Sequence, residues 1–120
     1  EPVEKVEANP GELQQVFVNL ITNAFQAVNG KGGTITLSSR SLKDIIEVKV
    51  MDTGVGIPQK YLGKIFDPFF TTKKTGEGTG LGLNVVYRIV SKYGGTIDVE
   101  SKEGLGTTFT VRFPTRREEG

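Results

Sequence analysis

The chain has 120 residues, of which 15 are basic and 14 acidic, so its formal net charge is +1. This length predicts a single domain, and the mixed, nearly balanced charge argues against a broad surface for nucleic acid or an anionic membrane. Cysteine and histidine are both absent, which excludes disulfides, thiolate or imidazole metal sites, histidine-dependent nucleophiles and a phosphohistidine within this chain. No apolar stretch is long enough to cross a membrane and no signal-peptide pattern begins the sequence, so we expect a cytoplasmic domain. Because the chain opens with Glu1 and its one methionine is Met51, we expect that this domain is excised from a longer protein.

The first half of the chain predicts a strand, a long helix and a hairpin. Residues 2–8 alternate weakly before "NPGE", which is typical of a helix start. Apolar residues then recur every three to four positions from Leu13 to Val28, until "NGKGG" ends the predicted helix. The segments "GTITLSSRS" and "IIEVKVMD" alternate with period two and predict an antiparallel hairpin. Its inward side chains should be Ile35, Leu37, Ile46, Val48 and Val50.

The second half predicts a helix between a long loop and another hairpin. A short helix is expected near "PQKYLGKIF", followed by an irregular loop from Pro68 to about Thr79. The second long helix should run from about Gly80 to Tyr93. "GTIDVESK" and "GTTFTVRFP" then alternate around "EGLG" and predict a second hairpin. Strands interspersed with helices on one face favour a two-layer α/β sandwich over residues 1–114, with a polar tail at 115–120.

The first helix carries four carboxamides on one stripe: Gln15, Asn19, Asn23 and Gln26. Their spacing of four, four and three places them within an arc of about 80° beside the apolar face. A solvated helix face would normally use Lys and Glu, which form helix better than Asn. The stripe is therefore either a polar rim tolerated by packing or part of a binding site.

A carboxylate and two glycines follow the predicted second strand, in "MDTGVGIP". Asp52 stands at the strand end, where it could accept a hydrogen bond from an amino group. Gly54 and Gly56 have no Cβ and would let a flat ligand approach the backbone. An ordinary turn explains the same residues equally well.

Glycines also crowd the segment "KKTGEGTGLGLNVV", residues 73–86, which leads into the second long helix. Backbone N–H groups at a helix start bind anions, glycines let them converge on phosphate, and lysines add charge. The alternative is a mobile surface loop with solvated lysines. The sequence contains no P-loop and no G-x-G-x-x-G motif, so a phosphate site here would have another design.

Taken in order, these features resemble the GHKL ATPases, and within them the catalytic ATP-binding domain of bacterial sensor histidine kinases. "QQVFVNLITNAFQAV" resembles the N box, "DTGVGIP" the G1 box, "IFDPFFTTK" the F box and "GTGLGLNVV" the G2 box. The resemblance spans about residues 8–114. It implies the Bergerat fold, in which a mixed, mostly antiparallel sheet carries about three helices on one face and a flexible lid covers ATP.

The resemblance also implies roles for individual residues. Asn23 would be the Mg²⁺ ligand, and Asn19 and Gln26 would serve the phosphate side, with Asn19 and Lys73 as the catalytic pair. Asp52 would receive the adenine amino group, and Thr107 would share a bridging water. The remaining nucleotide-binding positions are Gly54, Gly56, Ile57, Phe66, Phe70, Thr72, Gly78, Thr79, Gly80, Leu81, Gly82 and Leu83.

A sensor kinase of this type uses Mg-ATP to phosphorylate a histidine on a separate dimerisation domain, which then supplies a response-regulator receiver domain. The resemblance thus implies a transferase that is incomplete alone, a monomeric isolated domain, a homodimeric parent and no nucleic-acid partner. A hydrolytic ATPase of the gyrase kind is disfavoured, because those carry a glutamate base where this chain has Asn19, and a carboxamide cannot take a proton from water. A serine-directed anti-sigma kinase and a non-catalytic nucleotide-binding module remain alternatives.

Overall fold

The computed structural model describes residues 3–5, 9–28, 32–67 and 82–118. Two α-helices, six strands and one short 3₁₀-helix lie within these residues. In chain order they are β1 (Val3–Lys5), α1 (Pro10–Val28), β2 (Ile35–Leu42), β3 (Ile45–Asp52), the 3₁₀-helix (Gln59–Tyr61), α2 (Gly82–Lys92), β4 (Thr96–Lys102), β5 (Gly106–Pro114) and β6 (Arg116–Glu118). Neither α-helix is both long and apolar enough to cross a bilayer.

A four-stranded sheet with the order β2-β3-β5-β4 forms one layer, and all its pairings are antiparallel. Helix α1 packs mainly on β3 and α2 on β4 and β5, so both helices lie on one face. The predicted two-layer α/β sandwich is confirmed. The core between the layers consists of Val16, Leu20, Ala24, Val50, Ile65, Val86, Ile89, Val90, Phe109, Val111 and Phe113.

Helix α1 begins at a side-chain cap that also ties it to α2. The Asn9 Oδ1 accepts hydrogen bonds from the backbone N–H groups of Gly11 at 2.8 Å and Glu12 at 3.2 Å. Pro10 follows at the first helical position, where a missing N–H costs nothing. The Asn9 N–H donates to the Tyr93 hydroxyl at 3.1 Å, and that hydroxyl donates to the Glu12 carboxylate.

Helix α2 ends in a Schellman motif built on the pair Gly94-Gly95. Gly94 has φ 75°, in the left-handed region. The Gly95 N–H donates to the Val90 carbonyl at 2.9 Å and the Gly94 N–H to the Ser91 carbonyl at 3.1 Å. These two bonds satisfy carbonyls that the helix itself leaves without donors and turn the chain directly into β4.

Three features differ from the sequence predictions. Leu37 was expected inside but is 56% exposed, because β2 is an edge strand and the helices lie over its neighbours. The predicted short helix near residues 58–66 is a 3₁₀-helix continued by turns, in which the N–H groups of Tyr61, Leu62, Lys64 and Asp67 bond to the carbonyl three residues earlier. Within the predicted polar tail, residues 116–118 form β6, which pairs with β1 in a separate two-stranded sheet.

The sheet face opposite the helices carries a buried charge. The Glu47 side chain is only 2% exposed, yet it faces away from the core. Its carboxylate accepts a hydrogen bond from Arg40 Nε at 2.8 Å and another from Arg112 Nε at 2.9 Å. Arg112 also donates to Asp98. These four side chains form a charged ladder across all four strands of the sheet, and the arginines cover Glu47.

Candidate functional site

Asp52 lies at the end of β3 with its carboxylate directed to the helix side of the sheet. The residue is 6% exposed. Its carboxylate accepts hydrogen bonds from the backbone N–H groups of Gly54, at 2.9 Å, and Thr107. Burial raises the pKa of the Asp52 carboxyl, and these two hydrogen bonds only partly oppose that effect. Among the described residues no cation pairs with Asp52, so it can accept from a further donor.

The loop after Asp52 is held by two segments that are distant in sequence. The Val55 N–H donates to the Ala27 carbonyl at the end of α1, at 3.1 Å. The Val55 carbonyl accepts from the Gly104 N–H, in the turn between β4 and β5, at 2.7 Å. A Cβ at Gly54 would stand 2.4 Å from the Ala27 carbonyl oxygen. At Gly56, where φ is 73°, a Cβ would stand 2.2 Å from the carbonyl oxygen of Lys102. Both glycines are therefore required by packing.

A hydroxyl pair joins this loop to β4 and β5. The Ile57 N–H donates to Ser101 Oγ at 2.7 Å, and Ser101 Oγ lies 2.7 Å from Thr107 Oγ1. Thr107 is buried and stands opposite Asp52 in the β3–β5 register. The sequence analysis missed Ser101. The available signal was its position, since it follows Ile97 and Val99 at the next inward-facing place of β4.

The carboxamide stripe on α1 faces the start of α2. Gln15 Nε2 donates to Asn19 Oδ1 at 2.7 Å, and Asn19 Nδ2 donates to the Gly82 carbonyl at 3.1 Å. The structure thus brings together two of the predicted residues, Asn19 and Gly82. Asn23 is half-buried one turn further along the helix, and Gln26 is exposed near the helix end. Asn19 is thus more than part of a solvated rim, because it fixes the start of α2 against α1.

Phe66 packs as a core aromatic between the two layers. Its ring centroid lies 5.6 Å from that of Tyr87 and 6.4 Å from that of Phe109. The Phe66 carbonyl accepts a hydrogen bond from Asn84 Nδ2 at 3.0 Å, a contact that the sequence analysis did not anticipate. Leu83 and Ile57 also pack against the core. The segment before residue 68 is therefore anchored to α2.

Seven predicted site residues lie outside the described residues, so their roles stay predictions. They are Phe70, Thr72, Lys73, Gly78, Thr79, Gly80 and Leu81. Asp52 with its loop is at one end of α1, and the Asn19–Gly82 contact is further back along the same helix. The described part of the candidate site thus consists of the buried Asp52 carboxylate at the end of β3 and the carboxamide side chains along α1.

Residues 8–117 match the model of a protein family described as histidine kinase-, DNA gyrase B- and HSP90-like ATPases. The chain belongs to this ATPase family. Curated relatives of the ATPase domain include the sensor kinase CckA of Brucella abortus (strain 2308), which is 44% identical over 95% of the chain. The sensor histidine kinase ZraS of Escherichia coli (strain K12) is 46% identical over 92%. The chain spans 14% and 23% of the lengths of these relatives, respectively.

Solved structures give the same assignment for the ATPase domain. The nucleotide-free catalytic domain of the histidine kinase ThkA is similar with a TM-score of 0.79 and 39% identity, over 91% of this chain and 70% of that one. Full-length ShkA in complex with AMPPNP is similar with a TM-score of 0.83 and 27% identity, over 100% of this chain and 25% of that one. The ATPase domain therefore corresponds to the catalytic, ATP-binding part of sensor histidine kinases.

Proposed function

We propose that this chain binds ATP with Mg²⁺ and supplies the γ-phosphate to a histidine on a separate domain. The observation that carries the proposal is Asp52, a carboxylate 6% exposed whose described donors are both backbone N–H groups. An adenine amino group would add a hydrogen bond to the charged form and so offset part of its burial cost. The similarity to ShkA, which was solved with AMPPNP, supports the same ligand.

The phosphate end of the nucleotide would lie along α1 toward the start of α2. Magnesium prefers oxygen ligands and keeps several waters, so a neutral carboxamide such as Asn23 fits it without adding charge beside a triphosphate. Asn23 is half-buried on the same helix as Asn19. Asn19 would act by holding the start of α2, because its amide donates to the Gly82 carbonyl. When bound, the metal would neutralise part of the phosphate charge.

The transfer step itself would require a second domain. Phosphoryl transfer depends mainly on positioning and on stabilising charge, which a nucleotide site can provide without a nucleophile of its own. This chain contains no histidine, so the acceptor would be presented by a dimerisation domain. By analogy with CckA and ZraS, both of which are named sensor kinases, we extend the proposal to a homodimeric parent that passes phosphate to a response-regulator receiver domain.

The adenine contact is tested by Asp52→Asn in calorimetric titrations with ATP. Replacing a charged acceptor should weaken binding by roughly 1.5 to 3 kcal/mol, the range for hydrogen bonds to charged groups. Asp98→Asn is the matched control, because Asp98 is 64% exposed on the opposite sheet face. Equal affinity of Asp52→Asn and the unmodified chain would contradict the proposed adenine contact.

The metal contact is tested by Asn23→Ala in the same titrations, run with and without Mg²⁺. If Asn23 is a metal ligand, the substitution should weaken binding in the presence of Mg²⁺ far more than in its absence, because only the first includes the lost coordination bond. Thr22→Ala, at the adjacent exposed position of α1, is the control. The same loss of affinity in both conditions would instead assign Asn23 a structural role.

A further inference from the structure

Ser101 lies at the junction of the Asp52 loop, β4 and β5, and three polar atoms surround its hydroxyl. Ser101 Oγ is 2.7 Å from the Ile57 backbone nitrogen, 3.0 Å from the Gly106 carbonyl oxygen and 2.7 Å from Thr107 Oγ1. A serine hydroxyl has one hydrogen to donate and two lone pairs that accept. The three contacts therefore use its full hydrogen-bonding capacity.

Only one arrangement of hydrogens places a hydrogen in each of these contacts. The Ile57 nitrogen is always a donor and the Gly106 carbonyl is always an acceptor. Ser101 must therefore donate its single hydrogen to the Gly106 carbonyl. The contact with Thr107 then needs its hydrogen from the Thr107 hydroxyl. In the opposite arrangement two oxygens would face each other at 3.0 Å with no hydrogen between them, which is costly at a half-buried position.

This arrangement determines whether the buried Thr107 hydroxyl, beside Asp52, can donate or only accept further hydrogen bonds. Asp52 and Thr107 are partners in the β3–β5 register, and both are at most 6% exposed. Because the Thr107 hydroxyl hydrogen points to Ser101, its oxygen can only accept hydrogen bonds from anything else. The Asp52 carboxylate is also an acceptor. The site thus presents two acceptors side by side, which favours a ligand that brings donors to this edge.

We infer that Ser101 is a positioning residue that fixes the Thr107 hydroxyl as an acceptor and so adds to selectivity for a purine bearing an amino group over one bearing a carbonyl oxygen. The inference rests on the proposed function, because it requires the base to lie at Asp52. Without Ser101 the Thr107 hydroxyl can rotate and donate to a carbonyl oxygen, directly or through a water. Selectivity then falls although Asp52 is unchanged.

The test compares affinity for ATP and ITP. In ITP a carbonyl oxygen replaces the amino group of the base and the adjacent ring nitrogen gains a hydrogen, so the group expected at Asp52 changes from a donor to an acceptor. The unmodified chain should bind ATP more tightly. Ser101→Ala should narrow the ratio of the two affinities by roughly 3- to 10-fold, as expected for one redirected hydrogen bond. Thr108→Val is the control, because Thr108 is next to Thr107 on β5 but points to the opposite sheet face. It should leave the ratio unchanged.

Two further measurements separate selectivity from a loss of structure. Adding Ser101→Ala to Thr107→Val should change the ratio no further than Thr107→Val does alone, because Ser101 acts through that hydroxyl. If the role of Ser101 were purely structural, Ser101→Ala would weaken the binding of ATP and of ITP equally. If Ser101→Ala does not fold, the inference is tested with Thr107→Ser and Thr107→Val instead. Only Thr107→Ser retains the hydroxyl, so only this variant should keep the ATP-to-ITP affinity ratio of the unmodified chain.

The outcomes distinguish the inference from the proposed function. Binding of ATP with an ATP-to-ITP ratio that Ser101→Ala leaves unchanged would overturn the inference and leave the proposed function standing. Equal ratios for Thr107→Ser and Thr107→Val would overturn it in the same way. No binding of either nucleotide by the unmodified chain would overturn both.

Discussion

Gly54 and Gly56 show how single residues create the Asp52 site. Glycines after a strand-end aspartate suggest either a turn or room for a ligand. In the structure, the Cβ that each lacks would collide with backbone: the Ala27 carbonyl for Gly54 and the Lys102 carbonyl for Gly56. The two positions let the loop press against α1 on one side and the β4–β5 turn on the other, which brings the Gly54 N–H to the Asp52 carboxylate.

Gly54→Ala should destabilise the fold. The added methyl would stand 2.4 Å from the Ala27 carbonyl oxygen, and a backbone atom cannot move aside as a flexible side chain can. We expect a loss of about 1 to 3 kcal/mol in the free energy of unfolding, measured by denaturant titration. Gly63→Ala is the matched control because its added methyl would have no atom within 4 Å, and it should change stability by less than about 0.5 kcal/mol. Equal effects at both glycines would contradict the packing role.

At the scale of elements, period-two patterns predicted which segments pair, but not what covers each face. Both hairpins form where the alternation predicts them. Leu37 lies at an inward position of the alternating pattern, yet it is exposed. Burial depends on which strands the helices cover, and they cover the neighbours of β2 rather than β2 itself. Glu47 is the opposite case. A glutamate in an alternating strand suggests a solvated face, and only the pairing of β3 with β2 and β5 brings Arg40 and Arg112 over it.

The site shows the same division between local and distant information. Asp52 and its glycines are adjacent in sequence, so a motif could predict them. Ser101 and Asn84 contact the site region from β4 and α2 through single hydrogen bonds to distant backbone groups. Alternation along β4 places Ser101 on the inward face, but the sequence does not show which distant group either side chain contacts. Their roles follow from the register between strands and from the way α2 packs, which only the structure supplies.

The charged ladder on the open sheet face should make stability depend on acid pH. Hydrogen bonds from Arg40, with those from Arg112, hold the pKa of Glu47 below its ordinary value of about 4.5. Because the folded pKa is lowered, this stabilisation is present above about pH 4.5 and is lost as pH falls through the folded pKa. Asp52 acts in the opposite sense: its raised pKa favours the folded state at low pH, and that contribution is lost as pH rises through its folded value.

Glu47→Gln should therefore lower the thermal midpoint at neutral pH, because it removes the charge that both arginines cover. The difference from the unmodified chain should shrink as pH falls below about 4.5 and through the lowered pKa of folded Glu47, because Glu47 itself then becomes protonated. Thermal unfolding over a pH series measures this. Glu100→Gln, on the same sheet face but exposed, is the control and should follow the unmodified chain. Parallel pH profiles for Glu47→Gln and the unmodified chain would contradict the role of the ladder.

At the scale of the whole molecule, the fold places the Asp52 loop where the two layers meet. The end of α1, the end of β3 and the β4–β5 turn all bond to that loop, so the loop can take this position only when both hairpins and α1 are in place. The start of α2 is fixed separately by Asn19. Residues 68–81, which directly precede α2 in the chain, lie outside the described residues. The flexible lid that the resemblance implies therefore stays a prediction.

The last prediction follows from the proposed nucleotide site together with the absence of histidine from this chain. Incubated alone with ATP radiolabelled at the γ-phosphate, the chain should bind nucleotide and acquire no acid-labile phosphate, because a phosphoramidate on histidine cannot form. Adding a separate histidine-bearing dimerisation domain from a sensor kinase should place the label on that domain, since phosphoryl transfer needs the acceptor positioned in line with the bound nucleotide. The acid-stable fraction, measured in parallel, would reveal transfer to serine. Acid-labile label on this chain alone would show that the acceptor assignment is wrong, whereas acid-stable label on a serine-bearing substrate would favour a serine kinase of the same family.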